Sequence, residues 1–315
     1  MEGEKGREGE WVPNWWYGLA THPIWLTINP WPPCHTAETS GMWNICPVKD
    51  SERMSIMRKI SLIAGACVVA LAISGCSSNN SSNNTLGVIR SGYLTMCSDS
   101  PYAPFEFEDP SAPTGYSGFD VEMMTAIADK LSLKLEVKDT DFDALQSGAA
   151  LAAGTCDVGA SAITITEERK LSLDFSDSYY DSLQSLLVPA NSSVKSLEDL
   201  AGKKIGVQNG TTGLIYAEQH KPATATLVSF PSDGEMWLAI QAGQVDALLQ
   251  DLPINNEHVQ NDSAYAIVAK YETDEKYGFA LSKDRNPELL AAINTQLAAL
   301  RADGTYKTLY DKYFS

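Results

Sequence analysis

From residue 93 onward the chain alternates short apolar runs with amphipathic stripes, and this alternation constrains the fold more than any other feature. Residues 93–98 read as a strand. Residues 119–131 set Val121, Met124, Ile127, Ala128 and Leu131 on one helical stripe. Residues 133–137 alternate as a strand does. Residues 141–153 follow as a helix, with Asp141 as N-cap and Gly154 as its stop. Residues 157–165 give a strand and then a turn. This βαβαβ order predicts a parallel sheet with helices on both faces.

A second unit of the same kind follows. A short helix at 196–200 leads to strand 204–208, helix 212–220, strand 226–230, helix 233–242, strand 245–250, helix 253–259 and strand 265–269. Residues 276–281 read as a strand that crosses back. Helices 287–302 and 305–314, parted by Asp303-Gly304, close the chain. The expected architecture is α/β, with one lobe of residues 86–182 plus 280–315 and a second of residues 183–279. Crossings near 181–185 and 275–279 would join the lobes and leave a cleft between them, a preferred place for a ligand.

Upstream, the character changes. Trp11, Trp15, Trp16, Trp25, Trp31 and Trp43 crowd into a stretch with neither alternation nor helical stripe, and Trp237 is the one Trp beyond it. Residues 1–53 are read as a non-native upstream extension from a start placed too early, with Met54 or Met57 as the true start; a real disordered extension is the alternative. Arg58 and Lys59 then supply a basic flank to residues 60–73, 14 residues without a charge, too short for a comfortable membrane span. Ile73-Ser74-Gly75-Cys76 resembles the lipobox of bacterial lipoproteins. That resemblance makes residues 54–75 a signal peptide, puts a diacylglyceryl group on Cys76 Sγ and adds further acyl chains such as palmitate. The Ser/Asn run of residues 76–85 is a polar tether that cannot bury a core.

From Cys76 onward 17 Lys and Arg face 33 Asp and Glu, a net charge of −16. Such acidity argues against nucleic acid and anionic lipid headgroups as partners. Two His (His220, His258) without neighbouring Cys give no metal-site pattern and no cofactor is indicated. In an oxidising compartment Cys97 and Cys156 are the candidates for a disulfide, which the sequence leaves open because opposite strand ends can exceed the ~7 Å reach of the bond.

The stretch Asp157-Val-Gly-Ala-Ser161-Ala-Ile-Thr164-Ile-Thr-Glu-Glu-Arg169 ends a strand in small and hydroxyl residues, then places an Arg on the next turn. Taken alone, Arg169 is as readily a surface residue at a helix end. It is accompanied in order by Ser98-Asp99-Ser-Pro-Tyr102-Ala-Pro-Phe105-Glu-Phe, Gly118-Phe119-Asp120, Asp141-Phe142-Asp-Ala-Leu, Phe175-Ser-Asp-Ser-Tyr179-Tyr, Gly206-Val-Gln-Asn-Gly210-Thr-Thr212 and Asp246-Ala-Leu-Leu-Gln250-Asp251. Over residues 86–315 this set resembles the polar amino-acid binding proteins among the bacterial extracellular solute-binding proteins of family 3. The resemblance implies the type II periplasmic-binding-protein fold, two α/β lobes on a two-strand hinge that close on ligand. It also implies a monomeric, lipid-anchored substrate-binding subunit that serves an ABC permease and ATPase outside the cytoplasmic membrane.

Residue by residue, the resemblance puts Arg169 on the ligand α-carboxylate, with backbone amides near Thr164 and Thr212. A guanidinium grips a carboxylate through two parallel N–H bonds, and a helix start after Gly210 adds free amides. Asp251 becomes the α-ammonium partner, with the Ser161 carbonyl and the Thr164 hydroxyl; an N-cap role for the next helix is its other reading. Tyr102 and Phe142 match the pair that sandwiches the ligand side chain, though core packing suits either alone. Asp99 matches the position that meets the side chain's distal end, so glutamine or a cationic amino acid fits better than glutamate. Ala162 and Gly213 depart from relatives that carry side-chain donors there. Phe105, Phe119 and Phe175 are read as core, and Glu106 and Asp120 as solvated or capping residues without a role. An enzyme resembling cyclohexadienyl dehydratase and a solute sensor module are the rival readings; no Ser-His-Asp, Cys-His or metal pattern favours catalysis.

Overall fold

The computed structural model describes residues 86–315. The expected extension, signal peptide, Cys76 lipid site and tether lie outside the described residues. In chain order the elements are β1 (Tyr93–Ser98), β2 (Phe107–Glu108), β3 (Tyr116–Ser117), α1 (Phe119–Lys130), β4 (Lys134–Asp139), α2 (Phe142–Gln146), α3 (Ala149–Ala152), β5 (Val158–Gly159), β6 (Leu173–Phe175) and β7 (Tyr180–Pro189). There follow β8 (Lys204–Gln208), α4 (Thr212–His220), β9 (Thr226–Phe230), α5 (Asp233–Gln241), β10 (Ala247–Asp251), α6 (Leu252–Asn261), β11 (Tyr265–Tyr277), β12 (Ala280–Ser282), α7 (Pro287–Ala302) and α8 (Thr305–Phe314).

Ten of these strands form two five-stranded sheets, ordered β4-β1-β5-β12-β6 and β11-β7-β10-β8-β9, and β2 pairs with β3. Neither sheet is all-parallel. β12 runs antiparallel to β5 and β6, and β7 runs antiparallel to β10 and β11. The expected parallel sheet needs a crossover helix at every return; here the chain re-enters the first sheet straight from the crossing strand β11, so it arrives from the opposite end. The crossing itself is a two-strand ribbon in which Tyr277, Lys276 and Glu275 pair with Tyr180, Asp181 and Ser182.

The first lobe's core gathers Leu94, Met96, Phe105, Phe119, Met124, Ile127, Ile293 and Leu297 beneath α1, α7 and α8. Each such side chain, fully buried, contributes roughly 1.5–3 kcal/mol. The i, i+4, i+8 spacing of Tyr306, Tyr310 and Phe314 on α8 brings these rings to Phe119, Tyr180 and Phe105. Gly118 precedes α1 with φ +128°, and a Cβ there would lie 2.1 Å from the Phe105 carbonyl oxygen, so only glycine fits. The second core is built from Leu186, Ile205, Val207, Ala247 and Leu249.

Helix 141–153 does not form as one piece. Gly148 adopts φ +81° and separates α2 from α3, and the Asp141 side chain makes no capping bond. Cys97 and Cys156 are joined in a disulfide with Cα atoms 5.7 Å apart. The strand-end concern does not arise, because β5 is only two residues long and Cys156 precedes it. At α5, the Trp237 ring stacks 4.0 Å from His258, whose Nε2 meets Asp233 Oδ1 at 3.0 Å. One turn earlier, a Cβ placed on Gly234 would lie 3.5 Å from Pro101 Cγ of the first lobe.

Candidate ligand-binding cleft

Between the lobes lies a narrow cavity lined by Asp99, Tyr102, Phe142, Ser161, Ala162, Thr164, Arg169, Gln208, Thr211, Thr212 and Asp251. All nine residues singled out from the sequence for the ligand meet here, and Gln208 and Thr211 join them.

The first lobe delivers its groups on loops at the ends of β1 and β5. Ser161 Oγ accepts from the Asp99 N–H at 3.0 Å and donates to Glu106 Oε1. Ala162 takes a left-handed conformation, φ +46°, and its N–H donates to Asp120 Oδ2 at 2.9 Å. Glu106 and Asp120 are therefore not solvated: both are fully buried and brace this loop from behind. The loop is also stitched to the crossing strand, since Ile165 N–H donates to the Lys276 carbonyl at 2.8 Å and Gly278 N–H to the Ile163 carbonyl at 3.1 Å.

Arg169, 5 % exposed, turns inward instead of lying on the surface. Its guanidinium donates to the Thr164 carbonyl at 2.7 Å and, across the cleft, to the Gly210 carbonyl at 2.9 Å. Its carbon lies 5.3 Å from the centre of the Phe142 ring. Burial lowers its pKa to about 10, with Asp251 and Glu275 pulling the other way, so it stays a cation.

The second lobe supplies the start of α4. Thr211 is its N-cap, accepting from the Leu214 N–H at 3.1 Å, and Thr212 is its first residue. Free amides and the positive end of the helix dipole meet the cavity there. At Gly213 a Cβ would lie 2.9 Å from Gln184 Oε1 and 3.2 Å from the Leu249 carbonyl oxygen, so a side chain there would crowd both. Asp251 ends β10 and stands at the N-cap position of α6, yet its side chain makes no capping bond. It accepts instead from Gln184 Nε2 and the Tyr277 hydroxyl. Burial, and next the Glu275 charge, push its pKa up to about 7. Tyr102, whose hydroxyl also bonds Asp251, is driven well above its ordinary value by burial.

Asp99 lines the same cavity from the first lobe. It accepts from Gln208 Nε2 of the second lobe at 2.6 Å, and burial raises it to about 7 against the lowering effect of that bond. Sequence reasoning passed over Gln208 although the quoted Gly206–Thr212 motif contains it; an amide at a strand's C-terminal end, two residues before a turn glycine, was the available signal. Gln184 and Glu275 were missed because nothing local distinguishes a buried polar residue in a crossing strand.

Residues 94–315 match the bacterial extracellular solute-binding proteins, family 3. The chain belongs to this family. Among relatives, the L-arginine-binding protein of Pseudomonas aeruginosa is 33 % identical over 227 residues, 69 % of this chain and 86 % of that protein. An ancestral arginine-binding protein bound to arginine is 37 % identical with a TM-score of 0.65, covering 71 % of this chain and 99 % of that one. An ancestral amino acid-binding protein that is a precursor of cyclohexadienyl dehydratase is 34 % identical with a TM-score of 0.67, covering 74 % and 100 %. The family fold, two lobes of mixed α/β sheet on a two-strand hinge, is the one described above, and family 3 proteins work outside the cytoplasm. Among the described residues no helix is long and apolar enough to cross a membrane, and no group of three or more His, Cys, Asp or Glu is placed to hold a metal ion.

Proposed function

We propose that this family 3 protein is the substrate-binding subunit of an ABC amino-acid importer, and that its ligand is a polar amino acid with a cationic or amide-bearing end. One observation carries the reading: a buried guanidinium and a buried carboxylate, Arg169 and Asp251, line the same small cavity from opposite lobes. A cation and a carboxylate on one cavity suit the two charges of an amino-acid zwitterion. Asp99 selects a side chain that donates hydrogen bonds. Asp99, Asp251 and Glu275 outnumber the one Arg169 charge, so a cationic side chain balances the cleft better than glutamine does. Arginine, lysine, ornithine and histidine are the first candidates, and the arginine-binding relatives support that choice.

The lobes are taken as residues 86–182 with 280–315 and residues 183–279, closing on ligand about the β7–β11 ribbon. A lipid on Cys76 and the tether of residues 76–85 would hold the monomeric protein at the membrane near its permease and ATPase. The cleft binds its ligand without transforming it. A thermal-shift panel of the twenty amino acids plus ornithine tests the ligand class, because a ligand specific to the native state raises the melting temperature. The largest shift is expected for a cationic amino acid; a largest shift with glutamate would overturn the role of Asp99. Incubation with prephenate and arogenate addresses the dehydratase-like rival, and any aromatic product would displace the binding reading.

A further inference from the structure

The residue that ties the two lobes to the hinge is one the ligand does not need to touch. Glu275 lies in β11, opposite Ser182 in the crossing ribbon, and is 7 % exposed. Its Oε2 accepts from the Thr164 hydroxyl at 3.0 Å and from the Thr212 hydroxyl at 2.9 Å. Its Oε1 accepts from Gln184 Nε2 at 3.0 Å, the same nitrogen that donates to Asp251. Thr164 rides on the β5 loop of the first lobe and Thr212 on α4 of the second. One carboxylate thus collects a donor from each lobe and one from the hinge.

We infer that Glu275 is a closure latch and positioning residue, holding the lobes together through Thr164 and Thr212 and turning both hydroxyl oxygens into acceptors toward the cleft. A carboxylate only accepts, and a hydroxyl has a single proton to give. Once both protons point to Glu275, the lone pairs of both threonines are left for the donors of a bound ligand, an ammonium above all. Separation of the lobes moves Thr164 and Thr212 apart, so Glu275 cannot keep both. The contact therefore belongs to the closed form and acts on how long ligand is held more than on how fast it arrives. The Thr164 and Thr212 oxygens stand 3.5 Å apart, too far for a strong bond of their own, so the carboxylate is what couples them.

The inference rests on the amino-acid reading of the cleft, and the experiment separates the two. Stopped-flow binding of L-arginine is compared for wild type, Glu275→Ala, the isosteric Glu275→Gln, Thr212→Val and the Glu275→Ala/Thr212→Val double variant. Glu275→Ala is expected to release arginine about tenfold faster or more, and Glu275→Gln, whose amide oxygen still accepts from both threonines but whose NH2 group faces the Gln184 donor, by a smaller factor, with association changed less than about threefold in both. The double variant is expected to release it no more than about twofold faster than Glu275→Ala alone, since both changes break one contact. Fully multiplicative effects, or an unchanged release rate in both Glu275 variants, would overturn the latch. In parallel, the separation of probes at the exposed Leu171 and Leu238, one on each lobe, is measured without ligand. Glu275→Ala, which removes the acceptor, should shift it to longer distance; an unchanged distribution also overturns the latch. If wild type binds no amino acid at all, the functional reading fails, and this distance measurement still decides the latch.

Discussion

At the scale of single residues, Arg169 and Asp99 make separable contributions. Arg169 is buried without a side-chain carboxylate partner among its bonds, and only two of its five N–H donors are given to carbonyls. A ligand carboxylate is the partner that completes it. Replacing one member of a buried ion pair costs about 3–5 kcal/mol, a factor of 10² or more in affinity. Arg169→Ala is therefore expected to abolish micromolar amino-acid binding in calorimetry while the unliganded protein still melts cooperatively. Unchanged affinity would remove the anchor of the site. Asp99→Asn keeps the shape and removes the charge at the distal end. It should weaken arginine binding about tenfold or more and glutamine binding much less, so the ratio of the two affinities is the quantity to measure. Equal losses for both ligands would show that Asp99 does not read the side chain.

At the scale of elements, the disulfide gives a sharp expectation. Cys97 and Cys156 close a separation of 59 residues and pack with Phe142, Leu145 and Leu151, beneath the two short helices that carry Phe142 to the cleft. Loss of a native bond of this kind costs about 2–5 kcal/mol. Denaturant unfolding with and without reductant should show that loss as a lower midpoint; coincident curves would mean the thiols are unpaired in solution. Elements with strong periodic patterns were legible from sequence alone: β1, β8, α4, β9, α7 and α8 lie where the alternation puts them. The helix at 141–153 was misread because its apolar pattern carries through Gly148, while the backbone there turns left-handed against Ser172 and Leu173. β6 and the length of β11 escaped for a different reason. Their pairing is set by partners more than 90 residues away, such as Tyr277 with Tyr180, and no local window contains that information. The same holds in the cleft. Motif order led to nine residues around one cavity, whereas Glu106, Asp120, Gln184 and Glu275 take their meaning from neighbours brought in by the fold.

For the whole molecule, acidity should act in opposite directions on stability and on binding. Asp99 and Asp251, and Asp120 behind them, are raised from 3.8 to about 7, in each case chiefly by burial. A raised carboxyl stabilises the folded form fully below its unfolded value, near pH 3.8, and loses that contribution as pH climbs through about 7. The unliganded protein should accordingly melt higher at pH 5 than at pH 8. Binding of a cation needs the same carboxyls ionised, so affinity should fall as pH drops below 7, with protons released on binding at neutral pH. Melting curves across pH 5–8 with and without arginine check both signs at once; a ligand-induced rise in melting temperature that grows toward acid would contradict the assignment.

The stacked pair at α5 has a practical consequence. In a chain beginning at Cys76, Trp237 is the sole indole. It rests on an imidazole held by Asp233, one helical turn from Gly234, where a Cβ would come within 3.5 Å of Pro101 of the first lobe. The protein thus carries a native fluorophore outside its own cavity, whose emission can follow a captured solute that never touches it.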